Sequence, residues 1–421
     1  MGEGRRNALK KLLLVFAAAV VIVVAAGIAF VLYRQHESRN VRGSSSVEFV
    51  TTEKRAAVVN AKVRWPMFGF DAARRRAPDG MRLRPPFHTL WYVRAHELVE
   101  FPPAIAYGHL YFVNRRGVVY AVSTSRPQVV WRFKTHRCAA ASPSVAKHVV
   151  YIALLNRPPC NKPRAGLDGE LVALSAKSGH VRWRRRLAGP SESSPLVAGQ
   201  TVLLGDWSGH VSAFAARTGR LRWRVSTGGK VKGGAALAGG RIYIGSYDSH
   251  VYAFNARTGR RVWRAAAQQR LGPRGTFYST PAVAYGRVYI GGTDDKVYSF
   301  GATSGKLRWS HGTGSYVYAS PAVWRRRVFI GSYDNKFYCF DAATGDIRWR
   351  FRSNGRISGS PVVLDGVVYF STLSGRTYAL NAATGKLLWM YGRGSYAAVV
   401  SDGKHLFLAG FARIYALAPR R

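Results

Sequence analysis

"YIGSYDSHVYAFNARTGRRVWR", residues 243–264, returns as "FIGSYDNKFYCFDAATGDIRWR" at 329–350. Both stretches alternate apolar and polar residues with period two, as β-strands do, and both break at Gly-containing turns. The tryptophan that ends the pattern recurs in the same context at 91, 131, 183, 223, 263, 309, 349 and 389. Successive intervals are 40, 52, 40, 40, 46, 40 and 40 residues, within the range of propeller blades. The two long intervals carry insertions, "NRPPCNKPRAGLDG" and "AAQQRLGPRGTFYS".

Each unit reads as four short antiparallel strands. Ser-Pro or Thr-Pro stands at Ser142-Pro143, Ser194-Pro195, Thr280-Pro281, Ser320-Pro321 and Ser360-Pro361, where proline is tolerated at the start of a strand. A glycine four residues before the tryptophan, such as Gly259 before Trp263, suits the positive φ of a hairpin between third and fourth strands. The tryptophan then offers a flat face for docking one sheet on the next. The carboxy-terminal unit has three strands and no tryptophan, whereas Trp91 in "TLWYV" has no hairpin before it. Letting 89–93 supply the missing outer strand closes an eight-bladed ring; seven blades and a stray strand is the alternative. The expected fold is therefore all-β, an eight-bladed β-propeller of four-stranded antiparallel blades preceded by one transmembrane helix.

That helix is "LLLVFAAAVVIVVAAGIAFVLY", Leu12 to Tyr33, without a charge. At 1.5 Å per residue it spans roughly 33 Å, enough for a ~30 Å hydrocarbon core. Arg5, Arg6, Lys10 and Lys11 precede it, which favours a cytoplasmic amino terminus, although Arg34, Arg39 and Arg42 follow. A cleaved signal peptide is the rival reading, with a usual apolar core of ~7–15 residues. The expected organisation is a cytoplasmic tail over 1–11, a signal anchor over 12–33, a polar juxtamembrane tether over 34–63 and the propeller over 64–421, placed on the extracytoplasmic side of a plasma membrane.

The chain of 421 residues is 47% hydrophobic with a formal charge of +44, so disorder is excluded while an anionic partner is suggested. The cations are scattered through every repeat, which equally describes a basic solvated surface. Arg182, Arg184, Arg222, Arg224, Arg348 and Arg350 flank the repeat tryptophans, and charge on an outermost strand discourages edge-to-edge association. Three cysteines occur and form no C-x-x-C, which leaves zinc-ribbon and thioredoxin readings unsupported. Cys138 and Cys160 could bridge in an oxidising compartment; Cys339 stands where the sister repeat has Ala253, a small packed position.

"NARTGRRVW", "DAATGDIRW" and "NAATGKLLW" resemble the tryptophan-docking motif of the quinoprotein-dehydrogenase-like propellers, the pyrroloquinoline-quinone (PQQ) repeat family. "WPMFGFDAARRR", 65–76, is similar to segments that precede the first blade there. The resemblance covers roughly 64–419 and implies the propeller fold. The family includes calcium- and PQQ-dependent dehydrogenases, cofactor-free BamB-type assembly lipoproteins, and sensor domains. Its enzymes surround the quinone with an aspartate base, a calcium held by acidic and amide ligands, and a disulfide of adjacent cysteines. This chain has no adjacent cysteines and 20 acidic residues. Asp248, Asp294 and Asp334 recur at one hairpin position, where Ser208 and Ser374 stand in other units; a turn cap explains that pattern better than a metal site. Eleven histidines show no H-x-x-x-H spacing.

No catalytic, cofactor-binding or metal residue is therefore expected, and no cofactor. A binding face is expected where inter-blade loops meet the hairpins between second and third strands. It would carry Trp207, Tyr247, Lys230, Lys232, Phe277, Tyr278, Tyr316, Tyr318, Tyr333, Arg356 and Arg393. Aromatics interleaved with cations suit a protein segment or an anionic envelope polymer more than nucleic acid, although ordinary loop content would look similar. The sequence thus favours a non-enzymatic, membrane-anchored binding or scaffold module, with a PQQ-dependent enzyme and an envelope sensor as alternatives.

Overall fold

The computed structural model describes residues 3–52, 62–160, 168–397 and 399–420. Eight sheets stand around one axis. Blade 4 shows the plan: Ala236–Ala238, Arg241–Gly245, His250–Asn255 and Arg261–Ala266 pair antiparallel from the axis outwards. The second and third strands are almost wholly buried because both their faces meet a neighbouring sheet, while the outermost strand alternates. The arginines flanking the tryptophan on the outermost strands of other blades, Arg222, Arg224, Arg348 and Arg350 among them, are exposed.

The last blade decides the closure. Val400–Ser401, Leu406–Gly410 and Arg413–Pro419 come from the carboxy terminus, and Phe87–Arg94 pairs with the third of these as the outermost strand. The ring thus has eight blades, not seven, fastened by both ends of the propeller sequence.

The repeat tryptophans dock forwards. Indole Nε1 of Trp131, Trp183, Trp223, Trp263, Trp309 and Trp349 donates to the carbonyl of Ala176, Ala216, Ala256, Ala302, Ala342 and Ala382 at 2.9–3.3 Å. Each acceptor lies in the third-to-fourth-strand hairpin of the following blade. Trp389 has no such hairpin ahead of it, because blade 8 is closed by two separate chain ends; it meets Phe87 edge-on at 5.3 Å. Trp91 packs on Phe407 at 6.0 Å, and its buried Nε1 has no partner among the described residues.

The Ser/Thr-Pro positions form a belt around the axis. Hydroxyls of Ser194, Thr280, Ser320 and Ser360 accept the backbone N–H of Ser142, Gly234, Thr280 and Ser320, each on a preceding blade, at 2.7–3.0 Å. Cys138 and Cys160 are joined as a disulfide, and Cys339 is buried and free. Part of the insertion after Cys160, residues 161–167, lies outside the described residues.

One helix, Glu3–Glu37, carries the apolar run, with mean hydropathy 3.0. It extends beyond both boundaries read from the sequence. The polar stretch after it is not a free tether: residues 38–50 bind the outer edge of blades 5 and 6, through Val41 to Ser310 and Gly43 to Thr344 among others. Of the expected tether, 53–61 lies outside the described residues.

Candidate functional site: the upper face and its axial cavity

Call upper the face that bears the inter-blade loops and the hairpins between second and third strands. These two loop sets are clipped together. The backbone N–H groups of Trp207, Tyr247, Tyr333 and Leu373 donate to the carbonyls of Pro190, Lys230, Tyr316 and Arg356 at 2.8–3.0 Å. Asp248 adds a side-chain clip, accepting from Gly228 N at 2.7 Å and from its own turn at His250 N at 3.0 Å. Asp334 does the same with Gly314 N and Lys336 N, both at 2.9 Å. Asp248 and Asp334 therefore cap their turns and also tie their blades to the loop before, whereas Asp294, at the same hairpin position, accepts instead from the Tyr298 hydroxyl. Burial works against the charge of Asp248, while hydrogen bonds from the Tyr252 hydroxyl, Gly228 N and His250 N favour it, and the balance lowers its pKa.

This clipping brings most of the sequence-derived face together. The Lys232 ammonium stands over Trp207 at 4.5 Å, Tyr247 at 5.4 Å and Tyr278 at 5.7 Å, with Lys230 over Trp207 at 5.3 Å. Tyr278 meets Tyr318 edge-on at 5.4 Å, Tyr318 meets Tyr316 at 5.8 Å and Tyr333 at 4.9 Å, and Arg356 lies over Tyr333 at 5.7 Å. The result is an unbroken string of rings and cations from blade 3 to the loop beyond blade 6. Two expected members are elsewhere. Phe277 is fully buried against Tyr298 and Phe300, because the chain alternates and its neighbour Tyr278 takes the outward side. Arg393 is exposed beside a separate groove between blades 7 and 8.

Beneath the string, on the axis, is a small cavity whose important groups the sequence reading missed. Its floor is the segment 65–76, which threads the channel and hydrogen-bonds the innermost strands of blade after blade. Pro66, Ala72, Ala73, Arg75 and Arg76 carbonyls accept from Val145, Leu237, Val283, Val323 and Val363 at 2.7–2.9 Å. Within the "RRR" run, Arg74 and Arg76 are buried. Arg74 donates to the carbonyls of Phe68, Ala235 (2.8 Å) and Ser194 (3.1 Å); Arg76 donates to Arg74 O at 2.8 Å and Pro321 O at 3.0 Å. Burial pulls both guanidinium groups down to about 9.

The walls add Glu100 and Glu192, with Lys232 Nζ 3.5 Å from Glu192 Oε1. Burial, and then the charge of Glu192, push the Glu100 carboxyl up to about 7. Burial also raises Glu192, against the opposing pull of Lys232. Tyr278 is raised well above an ordinary phenol by burial and these carboxylates. Two acids in otherwise basic loops were the available sequence signal.

An eight-bladed ring of four-stranded blades, with tryptophans docked forwards and a channel plugged by the lead-in segment, defines a PQQ-repeat propeller. The family profile described as "Outer membrane protein assembly factor BamB" matches residues 163–206, 207–320 and 297–419, and the chain belongs to that family. Among curated protein sequences none matches. BamB from Moraxella catarrhalis is similar in structure, with 18% identity, 80% of this chain and 99% of that one covered, and a TM-score of 0.65. Quinohemoprotein alcohol dehydrogenase from Comamonas testosteroni aligns at 14% identity over 87% of this chain and 82% of its own, TM-score 0.71. A computationally designed protein aligns at 13% identity over 77% and 98%, TM-score 0.64. At such identities the likeness is one of fold alone, and the fold accommodates both an enzyme and a computationally designed protein.

The quinone that this family's enzymes use does not fit the axial site. The cavity volume is about 60 Å³, room for a few waters, against ~300–1,000 Å³ for small-molecule pockets. Burial favours the neutral form of its two carboxyl groups, Lys232 stands beside Glu192, and among the described residues no three His, Cys, Asp or Glu side chains converge as metal ligands.

Proposed function

We propose that this protein is a non-catalytic binding or scaffold module of the cell envelope, anchored by its amino-terminal helix with the ring outside the cytoplasm. The observation that carries the reading is the string from Trp207 through Lys232, Tyr278, Tyr318 and Tyr333 to Arg356, continuous across four blades and built on hydrogen-bonded loops. Rings and cations spaced along a rigid rim suit an extended segment better than a small molecule. Asp248, Asp334 and Glu192 on the same face place both signs of charge there, which favours a protein segment over a uniformly anionic polymer. The basic residues before the helix and the Cys138–Cys160 disulfide support an oxidising, extracytoplasmic side.

Photo-crosslinking from Tyr316, which is 47% exposed, tests this in the full-length membrane-anchored protein. One dominant crosslinked protein, lost on combining Tyr318→Ala with Arg356→Glu, is the expected result. Stoichiometric PQQ uptake with calcium and dye-linked alcohol oxidation would overturn the reading in favour of a dehydrogenase.

A further inference from the structure

The ring meets the helix with no slack. The carbonyls of Glu37 and Arg39 accept from Gln268 Nε2 at 3.2 and 3.1 Å, Ser38 O accepts from Lys296 Nζ, and Asn40 Oδ1 accepts from Gly312 N at 2.8 Å. The chain then pairs Val41 with Ser310 in both directions and descends the outer edge of blade 5. On the lower face Glu48 accepts from Thr303 N at 2.9 Å, Ser304 N at 3.0 Å and Arg308 Nε at 3.1 Å, and Phe49 stacks on Tyr285 at 5.4 Å. A strap fixed at both ends therefore holds the end of the helix at the upper corner between blades 4 and 5.

The apolar run ends at Tyr33 and the helix at Glu37, one turn or about 6 Å further on. The headgroup layer of a bilayer is itself roughly 5–8 Å deep on each side. The corner of the ring consequently lies at headgroup depth. The insertion between blades 4 and 5 supplies that corner with Arg270, an exposed Leu271 (45%) and an exposed Arg274. Neither arginine has a carboxylate within ion-pair distance among the described residues; Asp294 and Asp295 line the same corner and feel the charge of Arg270 without reaching contact, whereas Arg274 is exposed and Arg34 and Arg39 stand at the adjoining helix end.

We propose that residues 268–275 form a lipid-contact surface. Leu271 enters the headgroup boundary, and Arg270 and Arg274, with Arg34 and Arg39, hold the phosphates of anionic lipid. Apolar insertion beside a cluster of cations is the chemistry of interfacial anchoring. The proposal rests on the reading of the helix as a membrane anchor, and it makes the ring a body of fixed tilt rather than a tethered float.

The test uses the full chain reconstituted in vesicles of phosphatidylcholine, with and without 30% phosphatidylglycerol, as ~100 nm liposomes. An environment-sensitive fluorophore is placed at Leu271→Cys or, as reference, at Thr218→Cys on the lower-face hairpin of blade 3. Blue-shifted emission and quenching by spin-labelled lipid are expected at 271 and not at 218. Arg270→Gln with Arg274→Gln reduces the quenching gained from phosphatidylglycerol at least twofold. Gly43→Val, whose Cβ would lie 2.3 Å from Ala343 O, displaces the strap and lowers quenching at 271 in both vesicle types. A probe at 271 as solvent-exposed as that at 218, in protein that floats with the vesicles, overturns the lipid contact alone. Failure to float overturns the anchor and the proposal together.

Discussion

Gly259 lies against the indole of Trp223, one blade earlier, so closely that a Cβ would come within 2.8 Å of the ring. The glycine serves the neighbour's tryptophan as well as its own turn, where φ is +76°. Gly239, with φ +54°, has nothing within 4 Å of its Cβ position. Gly239→Ala is expected to cost only the left-handed backbone penalty, roughly 1 kcal/mol. Gly259→Ala adds displacement of Trp223 and is expected to cost about 2–4 kcal/mol. Urea unfolding of the two variants compares them directly; equal losses would reduce the glycine to a turn residue.

The Glu100 carboxyl, pushed up to about 7 by burial, gives stability a defined pH dependence. Between the ordinary carboxylate value of ~4.5 and about 7 the folded protein binds a proton that the unfolded chain has lost. Stability from this group is therefore full below ~4.5 and declines as pH rises through 7. Glu100→Gln is expected to flatten that part of the profile and to stabilise the protein at pH 8 by the order of 1–3 kcal/mol. Thermal unfolding across pH 5–8 measures it.

Lys232 is the cation that compensates Glu192 at 3.5 Å. Lys232→Met keeps the stem over Trp207 and removes the charge, leaving two buried acids facing each other. The loss of stability is expected to be greater at pH 8, above the value of about 7 to which the Glu100 carboxyl is raised, than at pH 5, below it. The midpoint difference between the two pH values, compared with wild type, reads the coupling.

Arg74 supplies donors to carbonyls of Phe68, Ser194 and Ala235 in the plugged channel. Arg74→Leu leaves those acceptors buried without a donor and is expected to cost more than about 3 kcal/mol. Arg82→Leu, at an exposed site, is expected to change stability by no more than about 0.5 kcal/mol. Equal effects in denaturant titrations would deny the plug its structural role.

The Cys138–Cys160 link closes a loop with a sequence separation of 22. Replacing both cysteines by serine is expected to cost about 3 kcal/mol, chiefly by releasing the unfolded chain. Cys339→Ala, at a buried site equivalent to Ala253, is expected to cost less. Differential scanning of the two variants separates them.

Repetition made the fold legible. Eight tryptophans at near-constant spacing, the glycine before each of six, and a terminal unit short of one strand pointed to eight blades over seven, because these features are local and periodic, and the pairing of Phe87–Arg94 with Arg413–Pro419 decided it. Trp207, Tyr247 and Tyr333 were also legible as a face, since they occupy one position of a repeated hairpin. Where the pattern breaks, the sequence was silent. Nothing local in "RRR" at 74–76 marks Arg74 and Arg76 as buried, because only the assembled ring offers enough backbone carbonyls to solvate a buried guanidinium. Phe277 reads as loop and packs inside, since nothing local distinguishes it from Tyr278. Glu100 and Glu192 lie 92 positions apart and meet at the axis, and residues 38–50, polar enough to pass for a tether, become a strap. Local pattern set the blades; which distant groups share the axis and the edge depended on closing the ring, because only closure brings those charges out of water and next to one another.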